Sequence, residues 1–236
     1  MLGRLDAAHM AAEYQSVLGQ VYRLRPPYIV GCMSTLGKPS RRSPKLAAGK
    51  KPQSSKPTVL SSKTVFSGRV FLVTRDRIIE PNGVTAVREL VRHSGSVVVL
   101  AVDENGPEPL ILLERQYRYA AQDYLLELPA GRIDPGESAL TAGKRELLEE
   151  TGYTAQNWSK VLYFYPSPGL LEETMTVFLA RRLRPGIAQP EVDERIECSL
   201  VPLSKVLHWI MAGTICDGKT IATVLWFAQR STHSRT

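Results

Sequence analysis

The sequence predicts an α/β protein: one mixed sheet covered on both faces by helices, preceded by small antiparallel strands and a disordered basic tail. Three observations carry this. Ser96 to Val102 is nearly continuous in Val and Leu, the composition of a strand buried on both faces. Along the chain, strands lead to one helix, then further strands and two more helices, which builds a layered α/β domain. The first helix is punctuated at both ends, with Glu137 and Ser138 as starting residues and Gly152 as a stop.

The elements follow in order. Arg69 to Thr74 and Arg77 to Glu80 read as strands flanking a turn, and Pro81-Asn82-Gly83 is a strong turn signal. Thr85 to Arg92 and Ser96 to Val102 read as a pair of strands. After a polar turn over Asp103 to Pro109, Leu110 to Gln116 is a strand, and Tyr124 to Leu128 a shorter one running into Pro129-Ala130-Gly131. In the helix, Leu140, Leu147 and Leu148 supply an apolar face, and Arg145 can pair with Glu149 at i, i+4. Gly143 inside it costs about 1 kcal/mol relative to Ala, so close packing against a strand is expected. Strands follow near Lys160 to Tyr165, Thr174 to Arg181 and Ile196 to Pro202, then helices over Ser204 to Met211 and Thr220 to Arg230.

Composition bounds the possibilities. The chain of 236 residues, 43% hydrophobic, can hold one large domain, or one domain and a tail. No run approaches the ~18 apolar residues of a membrane span. Cys32, Cys198 and Cys216 are scattered, odd in number and outside CxxC spacing, which argues for a reducing, cytoplasmic setting and against a disulfide framework or zinc site.

The net charge of +7 is local. Eight basic residues and no acid lie between Gly37 and Lys63, so removing them leaves +7 − 8 = −1 for the rest. That stretch, rich in Ser, Pro and Gly, has too few apolar groups to offset the entropy of ordering. It is expected to be a solvated linker, with nucleic-acid contact the less favoured reading. Ala7 to Val21 can form a short helix, no secretory signal is legible, and Met33 offers an alternative translation start. The expected organisation is an extension over 1–63 and a folded domain over 64–236, its strands at 64–92 a candidate dimerisation subdomain.

The sharpest signal is Gly131-x5-Glu137-x7-Arg145-Glu146-Leu147-x-Glu149-Glu150-x-Gly152-Tyr153. With each residue type at about 7%, a chance match in such a chain is on the order of one in a million. Glu146 and Glu150 share one helix face, with Glu149 beside them. Crowded carboxylates repel unless a cation sits among them, and hard oxygen ligands suit Mg2+ or Mn2+ working on a phosphate-bearing substrate.

At these residues the chain resembles a Nudix hydrolase, departing from the 23-residue box only at Tyr153, where an aliphatic residue is usual. The resemblance implies an α/β/α sandwich and metal-assisted water attack on a nucleoside diphosphate linked to another group. Gln116-Tyr117-Arg118, Leu126-Glu127-Leu128-Pro129-Ala130-Gly131, and Ser167-Pro168-Gly169 followed by Glu173 resemble the ADP-ribose pyrophosphatase branch. Val87-Arg88-Glu89 and Asp217-Gly218-Lys219-Thr220 fit the same branch, and the similarity spans about residues 64 to 230.

The resemblance implies roles. Glu146 and Glu150 are expected metal ligands, Glu149 shares a second ion, and the Ala130 carbonyl is a further ligand. Arg118, and more weakly Arg88, are expected on phosphate oxygens, with Glu127 and Glu173 also among the substrate-binding candidates. Gly131, Glu137, Arg145 and Gly152 are expected to be structural. The general base falls in Pro190-Glu191-Val192-Asp193-Glu194-Arg195; alignment lands on Val192, leaving Glu194 and Glu191 as unseparated candidates. His93 and His208 are expected to be satisfied or surface histidines, and Trp158, Trp209 and Trp226 packing residues. An aromatic that stacks on adenine is sought among Phe66, Phe71 and Tyr119.

The leading expectation is therefore Mg2+-dependent hydrolysis of ADP-ribose, or a related nucleoside diphosphate sugar, to AMP and ribose 5-phosphate. The alternative is another nucleoside diphosphate derivative such as NADH or a dinucleoside polyphosphate, and a non-catalytic nucleotide-sensing or nucleic-acid-associated module stands third. The branch also implies a homodimer built on the N-terminal strands.

Overall fold

The computed structural model describes residues 56–189 and 195–233. The helix expected at Ala7 to Val21, most of the basic stretch, and the acids Glu191 and Glu194 lie outside them.

Two sheets organise the fold. The first is antiparallel, in the order β1 (Thr58–Ser67), β2 (Leu72–Ile79), β3 (Thr85–Arg92). The second holds β4 (Ser96–Asp103), β5 (Leu110–Arg118), β6 (Asp123–Glu127), β7 (Ala130–Arg132), β8 (Thr154–Phe164), β9 (Met175–Arg184) and β10 (Ile196–Pro202). Its central order is β10-β5-β4-β9-β8, with β6 paired to β5 and β7 to β4. The β4–β9 pair is parallel and the rest antiparallel, the mixed sheet expected.

The period-2 alternation of β4 explains the layers. Val97, Val99 and Ala101 face α1 (Ala139–Thr151), joining Ala142, Leu147 and Phe178. Val98, Leu100 and Val102 face the opposite way, onto Val206 of α2 (Leu203–Met211) and Val224 and Phe227 of α3 (Gly218–His233). β4 is buried on both faces, as its composition requires. A Cβ on Gly143 would sit 3.2 Å from Val97 Cγ2, so the glycine serves close helix–strand packing. No helix among the described residues is long and apolar enough to cross a membrane.

Four expectations need correction. β1 begins at Thr58, inside the stretch expected to be unstructured: Thr58 pairs with Ile79, and Ser62 donates to Asp76 at 2.6 Å. The turn placed between Thr74 and Arg77 is the middle of β2. Asp76 there is buried, held by Ser62 and by Arg92 Nη2 at 2.6 Å, so a polar pair in a central strand imitates a turn. β3 and β4 are not partners but belong to different sheets. β8 starts at Thr154, earlier than expected, because Trp158 packs on Phe178 at 6.3 Å between ring centroids.

Candidate active site

Helix α1 delivers the acidic side chains, and its ends fix their phase. Ser138 Oγ accepts from the Thr141 N–H at 3.1 Å, and Gly152, at φ 75°, donates its N–H to the Leu148 carbonyl. Glu146 then lies against the β7 backbone, where a methyl on Gly131 would collide with its carboxylate. Glu150 points into the protein, is 5% exposed, and accepts from the Ala130 N–H at 3.1 Å. Glu149 is the open member, its side chain 41% exposed. Ala130, Gly131, Glu146, Glu149, Glu150 and Arg118 line one cavity of about 510 Å3.

Arg145 ties the outer part of this site together. Its guanidinium donates to Glu137 at 3.1 and 3.2 Å, to Glu146 at 2.9 Å, to Glu149 at 3.1 Å and to the Arg132 carbonyl at 3.1 Å. The hydrogen bond to Arg145 holds the Glu137 carboxyl below its ordinary value, and the same bond raises the Arg145 guanidinium further. Glu137 and Arg145 thus clamp loop to helix.

A second charge cluster lies behind Glu150. Glu127 of β6 accepts from Arg118 Nε and Nη2, both at 2.9 Å, and forms an ion pair with Lys219. Lys219 also pairs with Asp217 at 3.1 Å. Burial favours the neutral acid at Glu127, but Arg118 and Lys219 outweigh it and hold the carboxyl below its ordinary value. Directly across the strand pair from Glu127 is Glu114, fully buried. Burial above all pushes its carboxyl up to about 8, and its own neighbour is Glu150. On the other side Cys198 faces Glu114 in β10; its thiol is pushed up to about 12, by burial and then by the Glu114 and Glu150 carboxylates.

Among the described residues no three acids, histidines or cysteines converge in metal-ligand geometry. Arg145 Nη1 accounts for part of this, since it holds Glu146 and Glu149 together as a cation would. The donor set nonetheless fits a hard divalent ion. Glu127 is matched by Arg118 and Lys219, whereas the Glu114 and Glu150 carboxyls lie against each other in the interior. A hard cation beside Glu150 would relieve that crowding.

The other expected residues divide. Arg118 lines the cavity, with two of its nitrogens committed to Glu127. Glu127 itself is 1% exposed, so it positions Arg118 and Lys219 and has no face for a substrate. Arg88 pairs with Glu80 at 2.7 Å on exposed β3, and does not line the cavity. Glu173 accepts from Ser96 Oγ at 2.5 Å and is likewise outside it. His93 is a satisfied histidine, its Nδ1 accepting from the Gly95 N–H. Sequence reasoning missed Glu114 and the cavity residues Arg69 and Arg132, and gave Lys219 no role of its own. An acid ending the apolar run Ile111-Leu112-Leu113 was the available signal for Glu114; Arg69, on the β1–β2 turn, had none.

The fold is that of a phosphohydrolase, as comparisons with known proteins show. The NUDIX domain model matches residues 92–222, and the chain belongs to the NUDIX family. An ADP-ribose pyrophosphatase of Bacillus subtilis (strain 168) is 36% identical over 163 residues, covering 68% of this chain and 86% of that one. A methanol dehydrogenase activator of Bacillus methanolicus is 34% identical over 167 residues, covering 70% and 89%. A crystal structure of an ADP compounds hydrolase superposes with a TM-score of 0.67 at 25% identity, covering 79% of this chain and 98% of that one. The chain is therefore a hydrolase of the nucleoside diphosphate-sugar type.

Proposed function

We propose that this protein hydrolyses the pyrophosphate linkage of ADP-ribose, giving AMP and ribose 5-phosphate, with Mg2+ as its metal and Mn2+ as a substitute. One observation carries the reading: a single cavity sets Glu146, Glu149 and Glu150 opposite Arg69, Arg118 and Arg132. The acids suit a metal and the guanidinium groups suit phosphate oxygens. Bound there, the metal would neutralise the pyrophosphate and ease loss of a proton from water.

Glu146, Glu150 and the Ala130 carbonyl are the groups that would hold it, with Glu149 beside a second ion. Arg118 keeps Nη1 for the substrate while Glu127 fixes its other two nitrogens. A water oxygen adds to one phosphorus, the bridging P–O bond breaks, and the proton passes to a carboxylate. Glu194 and Glu191 are the acids assigned that role, and both lie outside the described residues.

A neighbouring cavity of about 480 Å3 shares Arg69, Val70 and Arg132 with the first and is lined by Phe71 and His93, which suits a stacked base. β1 exposes Val59, Leu60, Val65 and Phe66, an apolar edge that favours a homodimer formed through the first sheet. Cys198 and Cys216 are free thiols, in keeping with a cytoplasmic location. A second reading changes only the substrate, to NADH or a dinucleoside polyphosphate; the structural neighbour titled an ADP compounds hydrolase, a wider class than ADP-ribose alone, favours keeping it.

The test is turnover on ADP-ribose, NADH, diadenosine tetraphosphate, UDP-glucose and an oxidised dGTP with Mg2+, for the intact protein and Glu150→Gln. Preference for ADP-ribose, lost in the variant, is expected. Preference for another member overturns the substrate, and activity on none of them overturns the enzyme.

A further inference from the structure

Glu114 is the one buried carboxylate among the described residues whose two oxygens accept no hydrogen bond from any N–H or hydroxyl group. Its neighbours deepen the problem. Glu127 lies directly opposite on β6, and like charges facing across strands are destabilising. On another side the Glu150 carboxyl, from α1, is within hydrogen-bonding reach, so the two can hold one proton between them. The nearby cations direct their bonds elsewhere, Arg118 to Glu127 and Lys219 to Glu127 and Asp217. A buried polar group without donors is costly. An apolar side chain would continue the Ile111-Leu112-Leu113 run without that cost, and a cation beside Glu150 would account for an acid at this place.

We propose that Glu114 belongs to the divalent-metal centre as a positioning residue behind Glu150. When the ion takes the place of the proton held between Glu114 and Glu150, the Glu114 charge strengthens the hold of Glu150 on it, and the ion in turn relieves the crowding of the two carboxylates. This rests on the metal-dependent reading above. It also makes Glu114 a liability in the metal-free protein and an asset in the metal-bound one, a reversal that a purely structural residue does not produce.

The experiment uses the full chain as wild type, Glu114→Gln, Glu114→Leu and Glu146→Gln. Free Mn2+ is followed by EPR at one fixed pH, and Tm is measured with and without Mn2+. Both Glu114 variants are expected to bind Mn2+ about 10–100-fold more weakly, the range for groups that support a ligand. Their metal-free Tm stays level or rises, while the Mn2+-induced rise in Tm shrinks. Unchanged Mn2+ affinity in Glu114→Gln, with Glu146→Gln weakened, overturns this inference alone. A wild type that binds no Mn2+ overturns the metal reading on which it stands. Should Glu114→Leu fail to fold, Glu114→Gln carries the same comparison.

Discussion

Two charge clusters meet at Glu150, and they are built differently. The outer one consists of Arg145 with Glu137, Glu146 and Glu149; it comes from one loop and one helix and is partly exposed. The inner one consists of Glu114, Glu127, Arg118 and Lys219; it draws on β5, β6 and the start of α3 and is largely buried. In the outer cluster one guanidinium satisfies three acids, and solvent screens what is left. The inner cluster sets two acids against two cations, with little solvent to screen them. Position in the dielectric, more than the number of charges, therefore decides which contacts govern stability and which govern the metal.

The comparison can be broken in several places. The largest effect is expected at the meeting point: Glu150→Gln should lower kcat by about 10²-fold or more, checked by steady-state turnover at saturating Mg2+. Next comes Glu127→Ala, which strands Arg118 and Lys219. Removing one partner of a buried pair costs about 3–5 kcal/mol, to be read from urea unfolding. Gly131→Ala should push the Glu146 carboxylate aside, since the colliding atoms end a flexible side chain. Mn2+ affinity should fall about 10-fold while Tm moves little, by the same EPR and melting measurements.

Acid titration separates the clusters again. Glu127 is held below the ordinary glutamate value of 4.5, so its contribution to stability is present above that pH. It is lost as pH falls through the lowered value. Wild-type stability should thus drop more steeply below about pH 4.5 than that of Glu127→Gln, measured by denaturant unfolding across pH. The smallest effect belongs to the outer cluster: Glu149→Ala, at a side chain 41% exposed, should change stability by less than ~1 kcal/mol.

The two clusters also differ in how far the sequence reveals them. Glu137, Arg145, Glu146, Glu149 and Glu150 lie within one short stretch, where helical geometry alone sets which side chains meet. Ser138 and Gly152 announce the helix ends by simple cap chemistry, and β4 by its apolar run. Glu114, Glu127 and Lys219 are separated by up to 105 positions, and only strand pairing and the docking of α3 bring them together. Nothing local marks that convergence. The misread turn at Arg75-Asp76 has the same origin, since a buried aspartate paired to Arg92 across β3 looks like a surface residue when read alone.

One measurement bears most directly on the proposed chemistry: 31P NMR of ADP-ribose incubated with the protein and Mg2+ in 18O-labelled water, beside Glu150→Gln. The expected result is AMP and ribose 5-phosphate, with the heavy isotope in one phosphate, and no product from the variant. Turnover that survives removal of the metal by chelation, or that proceeds equally well in Glu150→Gln, would contradict a reaction centred on these carboxylates.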